Sequence, residues 1–594
     1  ELDLGVADDD VRVADRRADH DDAAPRDEHV GLPAAVRDRH GESDSGVAAG
    51  RQVGAGERRP AERRPAERRP AERGRAEWLT ARASRTASAV SGGSGAPAYG
   101  MLDRMQASPV RDGITVPSAD GGLAATAAEL IGGRPGRHAA IGRSWWTPLR
   151  LGLAVLLVTL FAGWSYKSPC QSSSADWGAS QYQYRHLCYS DIYPLYGAEG
   201  FDQNKAPYRD VTRVDSDGTA HYLEYPVGIA VVMQTATWIT HRLPNGGAVE
   251  WFNVTALLLA LGTVAAFFAF VPLAGRRPYD VLLFAAAPAL ALHAFTNWDL
   301  AAVALTIAGL WAWMRSKPVL AGVLLGIGTT TKLFPAFVLV ALALLALRSE
   351  RAAWRPVLRA WGAAILALVV TNLPIAWKYH AGWWEFFRLN KDRAADWDTI
   401  WFWFLNMSSR SFPSRQLHDL AANTPLLNKV TIVLMVAVVA ALGWLCAAAP
   451  VRPRLAQIAF LLVAAFLLVN KVFSPQYTLW LLPLAVLARP RWGLFLVWQL
   501  SEVVEWAVRL NHFYEQDHPG KGALLGHFFV AVGFRDLMLL LIMGFVIRDA
   551  LRPELDIVRR SHGGLDPLAG PLDDVDEPLP PPRRPAHAAS GATG

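Results

Sequence analysis

The sequence predicts an all-α polytopic membrane protein, a bundle of about twelve transmembrane helices with a long first extracytoplasmic loop. Three observations carry that expectation. Runs of Leu, Ala, Val and Phe follow one another through residues 146–548, many long enough to cross about 30 Å of hydrocarbon. Polar, Arg-rich and Pro-rich stretches flank this centre. Basic residues recur in short turns between the apolar runs, where they report topology. The formal net charge of +6 sits largely in those turns, so it does not point to nucleic acid.

Residues 1–145 read as a disordered cytoplasmic tail. They contain the tandem repeat AERRPAERRPAERRPAER and too few apolar residues to offset ordering entropy. The first methionine is Met101, which points to a start near that residue and to 1–100 as an upstream extension. The first apolar run lies far from residue 1 and has no small-residue cleavage site, so it reads as an anchor. Residues 549–594 read as a second disordered cytoplasmic tail.

The turns GRRP (275–278), RSKP (315–318), RSERAAWRPVLR (348–359), PVRPR (450–454) and ARPRW (488–492) belong in the cytoplasm. Spans then fall at 148–166, 251–274, 279–295, 299–314, 319–330, 333–347, 357–377, 428–449, 455–470, 476–488, 492–509 and 524–547. This parity predicts a multi-pass plasma-membrane protein with both termini inside.

Two segments resist it. The run 227–240 cannot cross without inverting every later turn, so it reads as an interfacial helix on the outer surface. Residues 319–347 go out and back on two short legs, with a break at TTTKLFP. Broken helices at membrane depth persist only where protein or a cavity surrounds them, which makes the break a candidate site.

Polar residues that a bilayer rejects converge on the outward side of this scheme. They are Asp191 in CYSDIYPLY, Glu224 and Tyr225 in LEYPVG, Asn297 and Asp299 in FTNWDL, Lys332 in TTTKLFP, and Lys471, Ser474, Gln476 and Tyr477 in NKVFSPQY. Each alone reads equally as a helix cap or a snorkelling side chain. Of the acids in the first outer loop, Asp191 stands apart in an aromatic and aliphatic setting suited to a general base. Lys332 has no acidic neighbour in sequence and follows three threonines, which suits a phosphate. Lys471 is placed to assist it.

The three cysteines make no CxxC and no cluster with histidine. Cys170 and Cys188 share the first outer loop, where a disulfide persists if it forms, and Cys446 lies in a span. No cofactor is expected; a divalent metal held by the acids of the first loop stays open. A bundle of this kind also fits a transporter or lipid flippase, which internal duplication would favour; no duplication is visible.

The ordered series YSDIYPLY, EYPVG, GRRPYD, NWDLAAVAL, GVLLGIGTTTKLFP and KVFSPQYTLWLLPL resembles actinobacterial members of glycosyltransferase family 87, over residues 145–550. Those are multispan enzymes of the GT-C architecture. The resemblance implies a GT-C-like bundle that transfers a sugar, typically mannose, from a polyprenyl-phosphate donor to an envelope glycolipid or glycan acceptor. It implies a catalytic carboxylate in the first outer loop, at Asp191. Lys332 and Lys471 would hold the donor phosphate, and Glu224, Tyr225, Asn297, Asp299, Ser474, Gln476 and Tyr477 would line the substrates.

Overall fold

The computed structural model describes residues 146–171, 181–349, 351–407 and 413–573. The expected tail at 1–145, Asp176 and residues 574–594 lie outside the described residues.

Helix α1 (Pro148–Lys167) starts where the Thr147 side chain accepts the Arg150 amide and Pro148 fills the first helical position. The first loop then folds as a short helix, α2 (Ile192–Ala198), a two-residue hairpin pairing Arg213 with His221, and α3 (Val227–Thr240). A disulfide joins Cys170 to Cys188 across the start of this loop. Helix α4 (Ala248–Leu273) follows. The span expected at 279–295 is split into α5 (Val281–Ala285) and α6 (Pro288–His293). Pro288 holds Ala287 extended and cannot donate into a continuing helix, so the break falls there.

The remaining helices are α7 (Asp299–Met314), α8 (Pro318–Thr329), α9 (Pro335–Ala346), α10 (Arg351–Lys378), α11 (His380–Asp392), α12 (Thr424–Ala448), α13 (Leu455–Val469), α14 (Thr478–Ala488), α15 (Trp492–Asp517) and α16 (Leu525–Leu551). Each of the twelve expected spans coincides with helix. Among the described residues, however, only five helices are long and apolar enough to cross a membrane alone: the one opening at Pro148, and α4, α10, α12 and α16. Several of the others are short because a proline at or near the first position starts them late, as at Pro288, Pro318, Pro335 and Pro475. Helix α15 has the length but carries the buried charges Glu502, Glu505 and Arg509.

The expected break between 319–330 and 333–347 is present. Helix α8 ends at Thr329, the Thr330 and Thr331 hydroxyls fold back onto the carbonyls of Ile327 and Gly328, and α9 starts at Pro335. Helix α8 also packs closely on α10. Gly322 and Gly326 lie against the Ala360 and Ala364 carbonyls, where an added Cβ would come within 2.1 and 2.6 Å. This GxxxG spacing lets the two backbones touch. Helices α13 and α14 are buried almost throughout and form the centre, whereas α10 and α12 leave Leu366, Val370, Val433 and Val436 exposed.

The tail expected from residue 549 is structured as far as Asp573. Asp556 receives the fully buried Arg454 at 2.7 Å, and the same guanidinium donates to the Leu487 and Ala488 carbonyls. Trp313 donates to the Ala569 carbonyl at 3.0 Å, and the Arg276 amide to His562 at 2.8 Å. The segment therefore straps together turns from four parts of the chain. Composition hid this because only a few scattered apolar residues, Ile557, Val558, Leu568 and Leu572, are buried, and side chains and carbonyls of other turns supply the rest of the hold.

Removing one member of a buried ion pair strands the other, at a cost of about 3–5 kcal/mol. Asp556→Ala is therefore expected to lower the Tm of the purified protein by several degrees. Arg454→Met with Asp556→Leu, which removes both charges, is expected to recover much of the loss.

Candidate functional site

The site is organised by the turn that leads into α7. There the Asp191 amide donates to the Thr296 carbonyl at 2.8 Å, and the Ser190 hydroxyl to the Phe295 carbonyl at 2.7 Å. Backbone contacts thus fix the start of α2 against this turn. The Asp191 carboxylate is then held from both sides. The Tyr189 hydroxyl donates to Oδ1 at 2.6 Å and Asn297 Nδ2 to Oδ2 at 2.7 Å. Each carboxylate oxygen keeps a further lone pair, so the group can still accept a proton. Asp191 is 1% exposed, so a substrate hydroxyl reaches it only with a movement of the surrounding loop.

Asn297 Nδ2 also lies 3.2 Å from the Tyr225 hydroxyl, which extends the cluster toward the helix break. Lys332 Nζ stands 6.0 Å from the centre of the Tyr225 ring and 5.4 Å from that of Tyr477. It also pairs with Asp299 at 3.6 Å, an acidic partner that is distant in sequence. The indole of Trp480 donates to Asp299 at 2.7 Å, and Tyr477, Trp480 and Phe334 stack face to face in one column. Two of the quoted motifs also meet in the backbone. The Gly228 amide at the head of α3 donates to the Thr330 carbonyl at 2.8 Å, and a Cβ at Gly228 would lie 2.5 Å from Thr331.

Asp191, Tyr225, Asn297, Asp299, Lys332 and Tyr477 thus form one connected cluster, and the buried Gln476 precedes Tyr477 in the same turn. Three expected members are engaged elsewhere. Ser474 donates to Asp396 at 3.3 Å. Lys471 donates to the carbonyls of Lys391 and Arg393. Burial, and after it the Arg393 guanidinium, brings its ammonium down to about 8. Lys471 therefore secures the loop after α11 and does not join Lys332 as expected. Glu224 faces another acid, Glu199, whose carboxyl is pushed up to about 8 by burial and then by the Glu224 charge.

Three contributors escaped the sequence reading: Tyr189, Trp480 and Lys167. The Lys167 ammonium is buried, donates to the Tyr189 carbonyl at 2.6 Å, lies over the Trp506 ring and feels the charge of Asp191. A lysine at the end of an apolar run reads as snorkelling, and only the folded loop turns it inward. Among the described residues, no group of three or more His, Cys, Asp or Glu side chains is arranged to hold a metal ion.

A model of glycosyltransferase family 87 matches residues 222–475, a little under half of the chain. The match bears out the resemblance read from the motifs and indicates the class, a membrane glycosyltransferase. It covers Glu224, Tyr225, Asn297, Asp299, Lys332, Lys471 and Ser474, begins after Asp191 and ends before Gln476. No curated protein matches the chain.

Two expectations follow from the geometry. Glu199 is harder to ionise in the fold than in the open chain, so its contribution lowers stability as pH rises from its ordinary range toward about 8. Glu199→Gln is expected to raise Tm by a few degrees at pH 8 and to change it little at pH 5. Gly228→Val forces α3 away from the break and is expected to lower sugar transfer about 10²-fold. Gly262→Ala, which faces open space, serves as the silent control.

Proposed function

We propose that this glycosyltransferase transfers a sugar, mannose, from a polyprenyl-phosphate donor to a glycolipid or glycan acceptor of the cell envelope, on the extracytoplasmic side. The observation that carries the reading is the Asp191 carboxylate, held on both oxygens by Tyr189 and Asn297 and linked through Tyr225 to the Lys332 end of the cluster.

In this reading the acceptor hydroxyl displaces part of the Asp191 hydrogen bonding and attacks the anomeric carbon as Asp191 takes its proton. The new glycosidic bond forms as the bond from the anomeric carbon to the phosphate oxygen breaks. The electron pair leaves with polyprenyl phosphate, and a single displacement inverts the anomeric centre. One carboxylate suffices because phosphate leaves as a stable anion and needs no second acid. Lys332 meets the charge growing on the leaving phosphate. Asp299, which pairs with Lys332 and is itself held by Trp480, fixes the position of the ammonium. The face of Tyr477 offers a stacking surface for the sugar, with Gln476 beside it. The donor's polyprenyl chain remains in the bilayer.

Asp191→Asn keeps the Asn297 and Tyr189 neighbours but cannot take a proton. It is expected to lower kcat by about 10²–10⁴-fold with little change in donor KM, measured with radiolabelled polyprenyl-phosphate mannose and a membrane-lipid acceptor extract. Lys332→Met is expected to raise donor KM as well as lower kcat. Unchanged transfer by Asp191→Asn removes this residue from the chemistry.

A further inference from the structure

At the end of the bundle that carries the basic turns, α8 and α10 leave a groove between them of about 570 Å³. Pro318, Val319, Leu320 and Val323 form its wall, and the cations Lys317 and Arg359 stand at its rim. Val319 and Leu320 are 54% and 40% exposed, an apolar surface facing outward. Neither Lys317 nor Arg359 takes part in an ion pair among the described residues. The neighbouring Arg315 adds to the same positive field, with its guanidinium over the Trp311 ring.

The backbone presents these groups firmly. Ser316 adopts φ +55°, while its amide donates to the Trp313 carbonyl and the Lys317 amide to that of Ala312, so the end of α7 is closed and Lys317 is directed into the turn. Helix α8 then begins at Pro318 with no side-chain cap, which leaves its positive end toward the same rim. On the inner side the α8 and α10 backbones touch at Gly322 and Gly326, so the groove is a seam between two closely packed helices.

We propose that this groove is a binding site for an anionic phospholipid, with Lys317 and Arg359 on the headgroup phosphate and the acyl chains along Val319, Leu320 and Val323. Both halves of the surface require such a molecule. A free anion answers the cations but leaves the apolar wall wet, and a neutral lipid covers the wall but leaves two unpaired cations at headgroup level. Binding there bridges α8 and α10 and so bears on the seam whose far end carries Thr330 and Lys332.

The test uses the full chain reconstituted in nanodiscs of phosphatidylcholine alone, or of four parts phosphatidylcholine to one part phosphatidylglycerol. Native mass spectrometry counts retained phosphatidylglycerol, and thermal unfolding gives Tm. The wild type is expected to retain phosphatidylglycerol and to gain stability in the mixed disc. Lys317→Ala with Arg359→Ala is expected to weaken retention about thirty-fold and abolish the gain. The charge-keeping pair Lys317→Arg with Arg359→Lys retains both, and Arg415→Ala, which removes an exposed charge on another helix, has no effect. Photocrosslinking of the wild type with phosphatidylglycerol carrying a diazirine in its acyl chain gives a reading free of variants. The proposal predicts concentrated labelling at 317–323. It is overturned by retention and stability in the double alanine variant equal to wild type, by an equal loss in Arg415→Ala, by equal protection from inorganic phosphate in phosphatidylcholine discs, or by labelling spread evenly over the spans.

Discussion

Asn297 is the side chain at which the first loop, the approach to α3 and the start of α7 meet. One amide group reaches both Asp191, in the first loop, and Tyr225, at the approach to α3, while its carbonyl oxygen accepts the Trp298 amide as α7 begins. The neighbouring backbone adds the Asp191 and Ser190 contacts, and the next acid, Asp299, receives Lys332 and Trp480. A five-residue turn between two helices therefore gathers the loop, the helix break and the aromatic column of α14. An apolar bundle has few ways to place several polar groups together. Linking them to one another at a rigid turn satisfies each group and supplies the geometry at the same time.

The same economy governs the charges away from the site. Arg454 with Asp556 and Arg509 with Asp398 are buried pairs in which each partner comes from a distant part of the chain. Burying a charge is tolerable only with such a partner. The first pair fastens the start of the short helix α13, and the second ties α15 to the loop after α11. Short, proline-started helices are in turn what allow Lys332 and the 475–477 turn to reach the interior.

Much of this was legible in the sequence. The helix positions followed from apolar runs, the TTTKLFP break from two legs too short for one bilayer, and six of the ten named residues lie in one cluster. Lys471 was misread because it shares the sign and apparent depth of Lys332, and only the path of the loop after α11 supplies the carbonyls that occupy it. Lys167 was missed for the converse reason, since a helix-terminal lysine looks outward until a loop folds over it. The strap at 549–573 was invisible because proline, glycine and charge mark unfolded chain only when nothing elsewhere receives them. Arg454, Trp313 and Arg276 do.

The cysteines carry a practical consequence. Two are joined in the disulfide at the start of the first loop, and the third, Cys446, is buried within α12. The chain contains three in all, so the folded protein is silent toward water-soluble thiol reagents. Any single cysteine introduced at a turn becomes an address label. The side of the bilayer from which it reacts reads out the orientation of the whole bundle, with no native residue to remove first.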